Sequence, residues 1–587
     1  MIDRERLRSA LATAREHLLS RRNSDGYWEG RLSSSALATA TAISALALAG
    51  CMDDRELIEA GIRWLEEDQN PDGGWGDTPD SRSNLATSLL SLSALRIAAT
   101  SPAGGSPVPG RAPAPRAEAG VIDRAEQYIT TLAGSAPADR VTAIKAIYGA
   151  DRTFAVPILA NCALAGLVAW EDIPGLPFEL AALPQSWYRA VRLQVVSYAL
   201  PALIAIGLLL HRRNPRANPL RRALRHVVTG LVRAKLVRLQ PENGGFLEAT
   251  PLTAFTAMSL IDTFGRDEPV AAKCLQFLRA SARPDGSWPI DTNLATWATT
   301  CALNALAASG GLPGDEAERA RRWVAGQQYR HVHPYTGARP GGFGWSDLPG
   351  AVPDADDTSG AVLELARSGD TEAVERGVQW LLGLQNSDGG WPTFCRGWGQ
   401  LPFDQSCADV TAHALRALRA AQSVAGRGDI RAAIARGLAH LQRRQREDGS
   451  WAPLWFGNEG APGHLNPILG TSRVLKALAE FEPDGKEAAW GLAYLIDAQN
   501  EDGGWGGDRG VPSSVEETSL AVSALSHWRQ AAGEALEAGI GYLVQRVENG
   551  TWTRPTPIGL YFASLWYSEE LYPVVWAVEA LGRAAGD

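Results

Sequence analysis

The chain has 587 residues, 45% of them hydrophobic and 21% charged, which is enough for two to four domains with a large buried core. A formal net charge of −9 argues against a nucleic-acid binder. Six cysteines without a Cys-x-x-Cys pair, behind a start that lacks an apolar leader, point to a reducing cytoplasm.

The charged opening Met1–Arg8 leads to a weak turn, Asp25-Gly-Tyr-Trp28. Stronger copies follow at Asp72-Gly-Gly-Trp75, Asp285-Gly-Ser-Trp288, Asp388-Gly-Gly-Trp391, Asp448-Gly-Ser-Trp451 and Asp502-Gly-Gly-Trp505, with another weak one at Asn549-Gly-Thr-Trp552. Helices ending in Gln69, Gln385, Gln445 and Gln499 precede four of these turns. More apolar helices follow at Asn84–Ala98, Asn293–Ala308, Asp409–Ala421, Asn466–Phe481 and Val515–Trp528. A helix–turn–helix unit repeated about every fifty residues predicts stacked units that cannot bury their apolar faces alone. Gly allows the left-handed turn, Asp bonds its own backbone, and Trp and Gln act as structural staples. Alternating inner and outer helices predict a helical barrel around an apolar centre.

Three further stretches stand out. The Pro/Gly/Ala segment Ser101–Gly120 reads as a surface loop. The apolar run Tyr198–Leu210 is too short to span a bilayer. From His211 to Pro241 there are nine Arg or Lys and no Asp or Glu, with Leu220, Leu224, Val227, Val228 and Leu231 at helical spacing. A basic amphipathic helix reads either as a membrane-surface element or as a solvated helix with a basic face.

The segment Pro353-Asp-Ala-Asp-Asp-Thr-Ser359 places Asp354, Asp356 and Asp357 ahead of the apolar run Gly360–Ala366. Three like charges raise one another's pKa, and a carboxyl that keeps its proton is a candidate acid. The competing reading is an Asp-rich helix N-terminus, where negative charge is welcome. Likewise, His413 in Asp409-Val-Thr-Ala-His413 taken alone reads as a packed core histidine.

The Gln…Gly-x-Trp turns combined with Asp-x-Asp-Asp-Thr resemble the squalene–hopene cyclase family of class II terpene cyclases. Further matches are Trp170-Glu-Asp-Ile-Pro174, Leu183-Pro-Gln-Ser-Trp187, Gly341-Gly-Phe343, Gly470-Thr471 and Leu581-Gly-Arg583. The resemblance implies an all-α fold with two α/α-barrel domains in a dumbbell. Residues 1–22 plus 300–587 would carry the acid; residues 23–299 would be inserted, with the membrane-contact segment near 205–240. The implied reaction is protonation of a terminal alkene of squalene or a similar linear polyprene, followed by cationic polycyclisation to a hopene-like product, with neither metal nor organic cofactor. Asp356 would donate the proton, Asp354 and Asp357 would help to hold it, and His413 as imidazolium would raise the acidity. Trp297, Trp345, Phe394, Phe403, Trp455, Trp170, Tyr561 and Phe562 fall at positions resembling the family's cavity aromatics, whose faces can stabilise a cation. The implied partners are the apolar substrate and a membrane surface, at the cytoplasmic face of the cell membrane, and a homodimer fits the family.

The chain departs from the family's pattern at Leu469, where a Tyr is usual, at Phe394, at an insertion over Phe456–Leu465, and at Glu516-Glu517. Three alternatives remain open. A class II cyclase of a prenyl diphosphate would need a basic pocket and Mg²⁺. A protein prenyltransferase would need a zinc set, for which His331-x-His333 is too isolated. A non-catalytic helical-barrel binding protein needs no acid at all.

Overall fold

The helix Ala36–Ala49 is apolar all round and buried on nearly every residue, so it must run inside the molecule. Ser35 caps its start, and Gly50 ends it at φ 64°. It is one of two sets of inner helices in the computed structural model, which describes residues 3–100, 117–149, 152–214, 219–425 and 428–586. The first ring comprises Ala36–Ala49, Leu85–Thr100, Arg152–Leu164, Val195–Arg213 and Thr250–Phe264, each packed on the next and the last on the first. The second comprises Ala295–Ala308, Ala355–Ser368, Ala408–Ala425, Pro467–Phe481, Val515–Leu525 and Tyr572–Ala585, and closes in the same way. Outer helices such as Thr371–Leu384 surround each ring. A short antiparallel hairpin, Gly559–Tyr561 paired with Leu565–Tyr567, lies where the rings meet. Of the predicted loop, residues 101–116 lie outside the described residues.

The repeat is a set of staples. The indole N–H of Trp28, Trp75, Trp288, Trp391, Trp451 and Trp505 each donates to the carbonyl ten residues earlier, at 2.7–2.8 Å. The backbone N–H of each donates to a Ser or Thr hydroxyl on an inner helix at 2.9–3.0 Å. Gln385 Nε2 donates both to Gly389 O, in its own turn, and to Ala433 O, on the next outer helix, at 2.8 and 2.9 Å. Gln69, Gln445 and Gln499 make the same double bond. Gly389 sits at φ 88°, and a Cβ there would collide with the Arg436 carbonyl, so the turn admits only glycine. Two more staples escaped the Trp-based pattern. Gln240 and Gln328 bind across helices in the same way, but their turns end in Phe246 and Phe343.

The helical boundaries refine the expected domain limits. Ala295–Ala308 belongs wholly to the second ring, so a division at residues 299 and 300 would cut a helix. The Trp28 turn joins Leu18 to Thr299, which ties residues beyond 22 to the same ring. The N-terminal helix Arg4–Ser20 packs on Tyr572–Ala585 and on the outer helix Arg529–Glu548. Tyr198–Leu210 lies within an inner helix, and no described helix is long and apolar enough to cross a membrane.

The basic segment is less charged than its composition suggests. Arg213 pairs with Asp262, Arg221 and Arg225 pair with Glu179, and Arg233 pairs with Glu268. Val228 is buried, while Leu220, Leu224, Val227 and Leu231 form an outward apolar strip at 50–83% exposure. Arg216 lies outside the described residues.

Glu516 and Glu517 head the inner helix Val515–Leu525 and are fully buried. Glu516 accepts from Thr556 N at 2.6 Å, and Glu517 from Asn458 and Asn466 at 2.8 and 3.1 Å. Burial, reinforced by the neighbouring Glu517, pushes Glu516 up to about 8, and burial pushes Glu517 up to about 7. A carboxyl raised on folding binds its proton more tightly in the folded state. Its stabilising contribution is therefore complete below the unfolded value and is lost as pH rises through the folded one.

Two predictions follow from these contacts. Gln385→Ala removes both cross-helix bonds and is expected to lower stability by about 1–3 kcal/mol in denaturant unfolding. Gln327→Ala removes only a bond to its own helix, at Trp323 O, and serves as the control with a change of under about 0.5 kcal/mol. Equal losses would contradict the staple role. Glu516→Gln is expected to leave stability unchanged at pH 4.5 and to raise it relative to the parent at pH 8.5. The gain is on the order of a few kcal/mol, at about 1.4 kcal/mol per pKa unit. A stability difference independent of pH would contradict a protonated Glu516.

Candidate active site

The acid segment is itself one of the staple units. Asp354 pairs through its backbone with Phe343, the residue that takes the Trp position, and Thr358 Oγ1 accepts the Phe343 N–H at 2.9 Å. Thr358 thus does what Thr411, Thr471 and Thr518 do in their units. Asp354 caps the helix Ala355–Ser368 by accepting from Asp357 N at 2.9 Å. The helix-cap reading therefore holds for Asp354, and the acid reading turns on Asp356 in the first turn behind it.

Asp356 is clamped. Its Oδ1 lies 2.7 Å from His413 Nδ1, on the helix Ala408–Ala425, and its Oδ2 lies 3.2 Å from Arg473, on the helix Pro467–Phe481. The same guanidinium nitrogen is 3.4 Å from Asp409 Oδ2. Burial raises the Asp356 pKa, but Arg473 first and His413 second outweigh it and hold the carboxyl down to about 2. The flanking carboxyls move the other way. Burial pushes Asp354 up to about 7, and burial with the Asp354 charge pushes Asp357 well above the carboxylate range. The three acids thus separate into one held low, Asp356, and two pushed up by burial, a separation of the kind that sorts acid and base roles within a site.

His413 departs from the expected role. Burial lowers its pKa more than Asp356 raises it, which favours a neutral imidazole donating Nδ1–H to Asp356. The permanent positive charge comes from Arg473 instead. Its own pKa is depressed by burial but raised on balance by Asp356 and Asp409. Arg473 was not singled out in the sequence, although an Arg and Lys476 at i, i+3 on an otherwise apolar inner helix were the available signal. Leu469, where a Tyr was anticipated, lies one turn before Arg473 and is fully buried.

A chamber of about 110 Å³ opens on the acid side. Asp354, Asp356 and Asp357 form one wall; a fourth carboxyl, Asp291, the aromatic residues Trp297, Trp345, Phe394, Trp455, Tyr561 and Phe562, and aliphatic residues such as Leu294 and Val410 also line it. Phe394 is central, with ring centroids at 5.3 Å from Trp455, 5.6 Å from Phe562 and 6.0 Å from Trp345. Arg473 does not line this chamber; Trp297 and Phe456 cover its guanidinium with centroids at 5.4 and 5.0 Å. Phe456 opens the inserted segment, which therefore builds a chamber wall. A second apolar chamber, of about 160 Å³, lies within the first ring and shares Tyr561 and Phe562. Phe403 lines this one and stacks on Phe562 at 4.9 Å. Tyr198, also unanticipated, brings its ring to 5.5 Å from Phe394, and its hydroxyl donates to Phe394 O at 3.1 Å.

Trp170 lines neither chamber. It lies under the Arg213 guanidinium at 5.6 Å, and its carbonyl accepts from Asn214 at 3.2 Å. Its segment is pinned to the far end of the helix Val195–Arg213, away from the acid.

Comparisons with known proteins agree with this geometry. The squalene-hopene cyclase C-terminal domain matches residues 293–585 and the N-terminal domain matches residues 11–106. The enfumafungin synthase of Hormonema carpetanum is 25% identical over 95% of this chain, which spans about half (47%) of that protein's length. A probable squalene–hopene cyclase of Sinorhizobium fredii is 25% identical, over 96% of this chain and 94% of its own. The ent-copalyl diphosphate synthase from Streptomyces platensis shares the fold, with a TM-score of 0.59 at 20% identity over 99% of both chains. With its two rings of stapled helices and its acid segment at the chamber wall, this chain belongs to the squalene–hopene cyclase family of class II terpene cyclases.

Proposed function

We propose that the protein protonates the terminal alkene of squalene or a similar linear polyprene and drives its cationic polycyclisation to a hopene-like hydrocarbon or its hydrate. The observation that carries this reading is the Asp356 carboxyl, clamped by His413 and Arg473 at the wall of a chamber rich in aromatic side chains. In this reaction Asp356, a carboxylate at rest, first takes up a solvent-exchangeable proton; its O–H bond then breaks as that proton forms a C–H bond at the alkene terminus, leaving a tertiary cation. The remaining carboxylate is stabilised by Arg473 and the His413 N–H, which is what makes the protonated form a strong donor. Each further alkene then attacks the cation, and the last cation loses a proton or takes up water. Aromatic faces around it are worth about 2 kcal/mol or more each when desolvated. The cation would meet no basic side chain on the acid side, because Trp297 and Phe456 lie over Arg473.

The linings favour an apolar substrate. Among the described residues of the two chambers Arg152 is the one cation. It also supports a second reading, a prenyl diphosphate whose headgroup rests at the exposed Arg152 edge of the second chamber. An apolar polyprene partitions into bilayers, so we assign the strip Leu220, Leu224, Val227 and Leu231 to contact with the cytoplasmic face of the cell membrane.

Mass-spectrometric analysis of products from detergent-solubilised protein tests both readings. With squalene and no added metal, cyclic isomers or their hydrates are expected from the parent and none from Asp356→Asn. Unchanged squalene, with cyclised product from farnesyl or geranylgeranyl diphosphate plus Mg²⁺, would overturn the first reading in favour of the second. Equal conversion by Asp356→Asn would remove Asp356 as the acid. Arg473→Met is expected to lower kcat by about 10²-fold or more with KM little changed, because the interaction it loses matters most when Asp356 is left as an anion. A KM effect alone would contradict that role.

A further inference from the structure

Behind the acid clamp, the second ring encloses a well of about 540 Å³ that opens at the C-terminal ends of its inner helices. His413, Arg473 and Trp297 form its floor, so the groups that hold Asp356 on one side face the well on the other. Six cations line it: Arg367, Arg416, Arg473, Lys476, Arg529 and Arg583. Among the described residues two carboxylates do, Asp409 and Glu579.

Carboxylates outside the lining do not restore neutrality, because they are shared. Glu364 serves Arg367 and Arg321, and Glu480 serves Arg416 and Arg419. Glu579 serves Lys476 and Arg583 at 2.5 and 3.0 Å. Among the described residues, Arg529 is held by the carbonyls of Arg583, Ala584 and Gly586. Arg473, with Asp356 and Asp409, is the one cation whose group carries net negative charge. Among the described residues the five groups sum to an excess of three positive charges, with Arg321 and Arg419 standing outside the lining.

The titrations reflect the same field. Burial, then Glu579 opposed by Arg416 and Arg583, leaves Lys476 down at about 8. Burial, then Arg583, Lys476 and Arg416, takes His527 down to about 4. A concave site lined by one sign of charge concentrates counter-ions, and guanidinium forks match the oxygens of phosphate.

We propose that this well binds a phosphate-type oxyanion, inorganic phosphate or diphosphate, between Arg416, Lys476, Arg529 and Arg583, behind the Arg473 that holds Asp356. The site is separate from the substrate chambers, since Trp297 and the His413–Arg473 pair stand between them. Occupancy is coupled to the acid because Arg473, which holds Asp356, also lines the well, so its charge acts on the anion as well as on Asp356; the coupling acts equally in both directions.

Calorimetric titration of the full chain with inorganic phosphate and, separately, diphosphate tests this at pH 7 and constant ionic strength, without any prenyl substrate. Saturable one-to-one binding of at least one of them is expected, and the tighter of the two identifies the ligand. Arg416→Gln with Arg529→Gln is expected to weaken it at least tenfold; Glu480 keeps Arg419, so no carboxylate is orphaned. Arg529→Gln alone, at the exposed mouth, provides the same test if the double variant does not fold. Arg152→Gln should leave binding unchanged, and Asp356→Asn should tighten it about threefold or more by freeing Arg473. No saturable binding, or binding abolished by Arg152→Gln but not by the well variants, would overturn the site and leave the cations as neutralisers of helix C-termini. Unchanged affinity in Asp356→Asn would overturn the coupling. The readout is binding alone, so it stands or falls independently of which polyprene is cyclised.

Discussion

The constraint on which the rest depends is the cost of leaving a carboxylate in a dry site. An acid strong enough to protonate a plain alkene must be stable once it has lost its proton, and burial alone works against that. Here the compensation is specific: a permanent cation on one oxygen of Asp356 and an imidazole N–H on the other. The flanking carboxyls are pushed up by the same burial, Asp357 further than Asp354, so the charge they add beside Asp356 is reduced. Removing the clamp would leave Asp356 a weak buried acid like its neighbours.

Clamping requires that three helices hold their spacing and rotation closely. Asp356, His413 and Arg473 stand on consecutive helices of one ring, and each of those helices is tied to its turn by a Thr hydroxyl: Thr358, Thr411 and Thr471. The Gln amides then tie outer helix to outer helix, so the ring resists opening. The same repeat that builds the scaffold therefore sets the site's register, and the residue type at one cap position, Asp354, belongs to both. The aromatic wall contributes in a different way. It shields Arg473 from the chamber, so that the charge holding Asp356 would not meet the cation of the proposed reaction.

Much of this was legible in the sequence because it depends on local patterns. The Gly turns, the Gln helix ends and the Asp triad are short motifs whose residues touch one another or their immediate neighbours. The turn at Phe246 was missed, and Gly341-Gly-Phe343 was matched without being read as a staple, because Phe fills the Trp volume without the indole donor. Arg473 was missed because its partner lies 117 residues away in the chain. Its charge is legible, but nothing local says that it points inward. Trp170 matched a family motif yet lies under Arg213, since a motif fixes neighbours along the chain and not the direction a segment faces. The basic stretch before Pro241 misled in a similar way: its counter-charges, Glu179, Asp262 and Glu268, come from segments before and after it.

The proposed reaction starts with a proton delivered by Asp356. Its most direct test is turnover in D₂O of whichever polyprene the protein converts, with the product's mass and the position of label read by mass spectrometry and NMR. The account predicts one deuterium at the carbon where cyclisation begins, carried by every product molecule. Cyclised product without deuterium at that carbon would contradict it, because the initiating cation would then have arisen without a solvent-exchangeable acid.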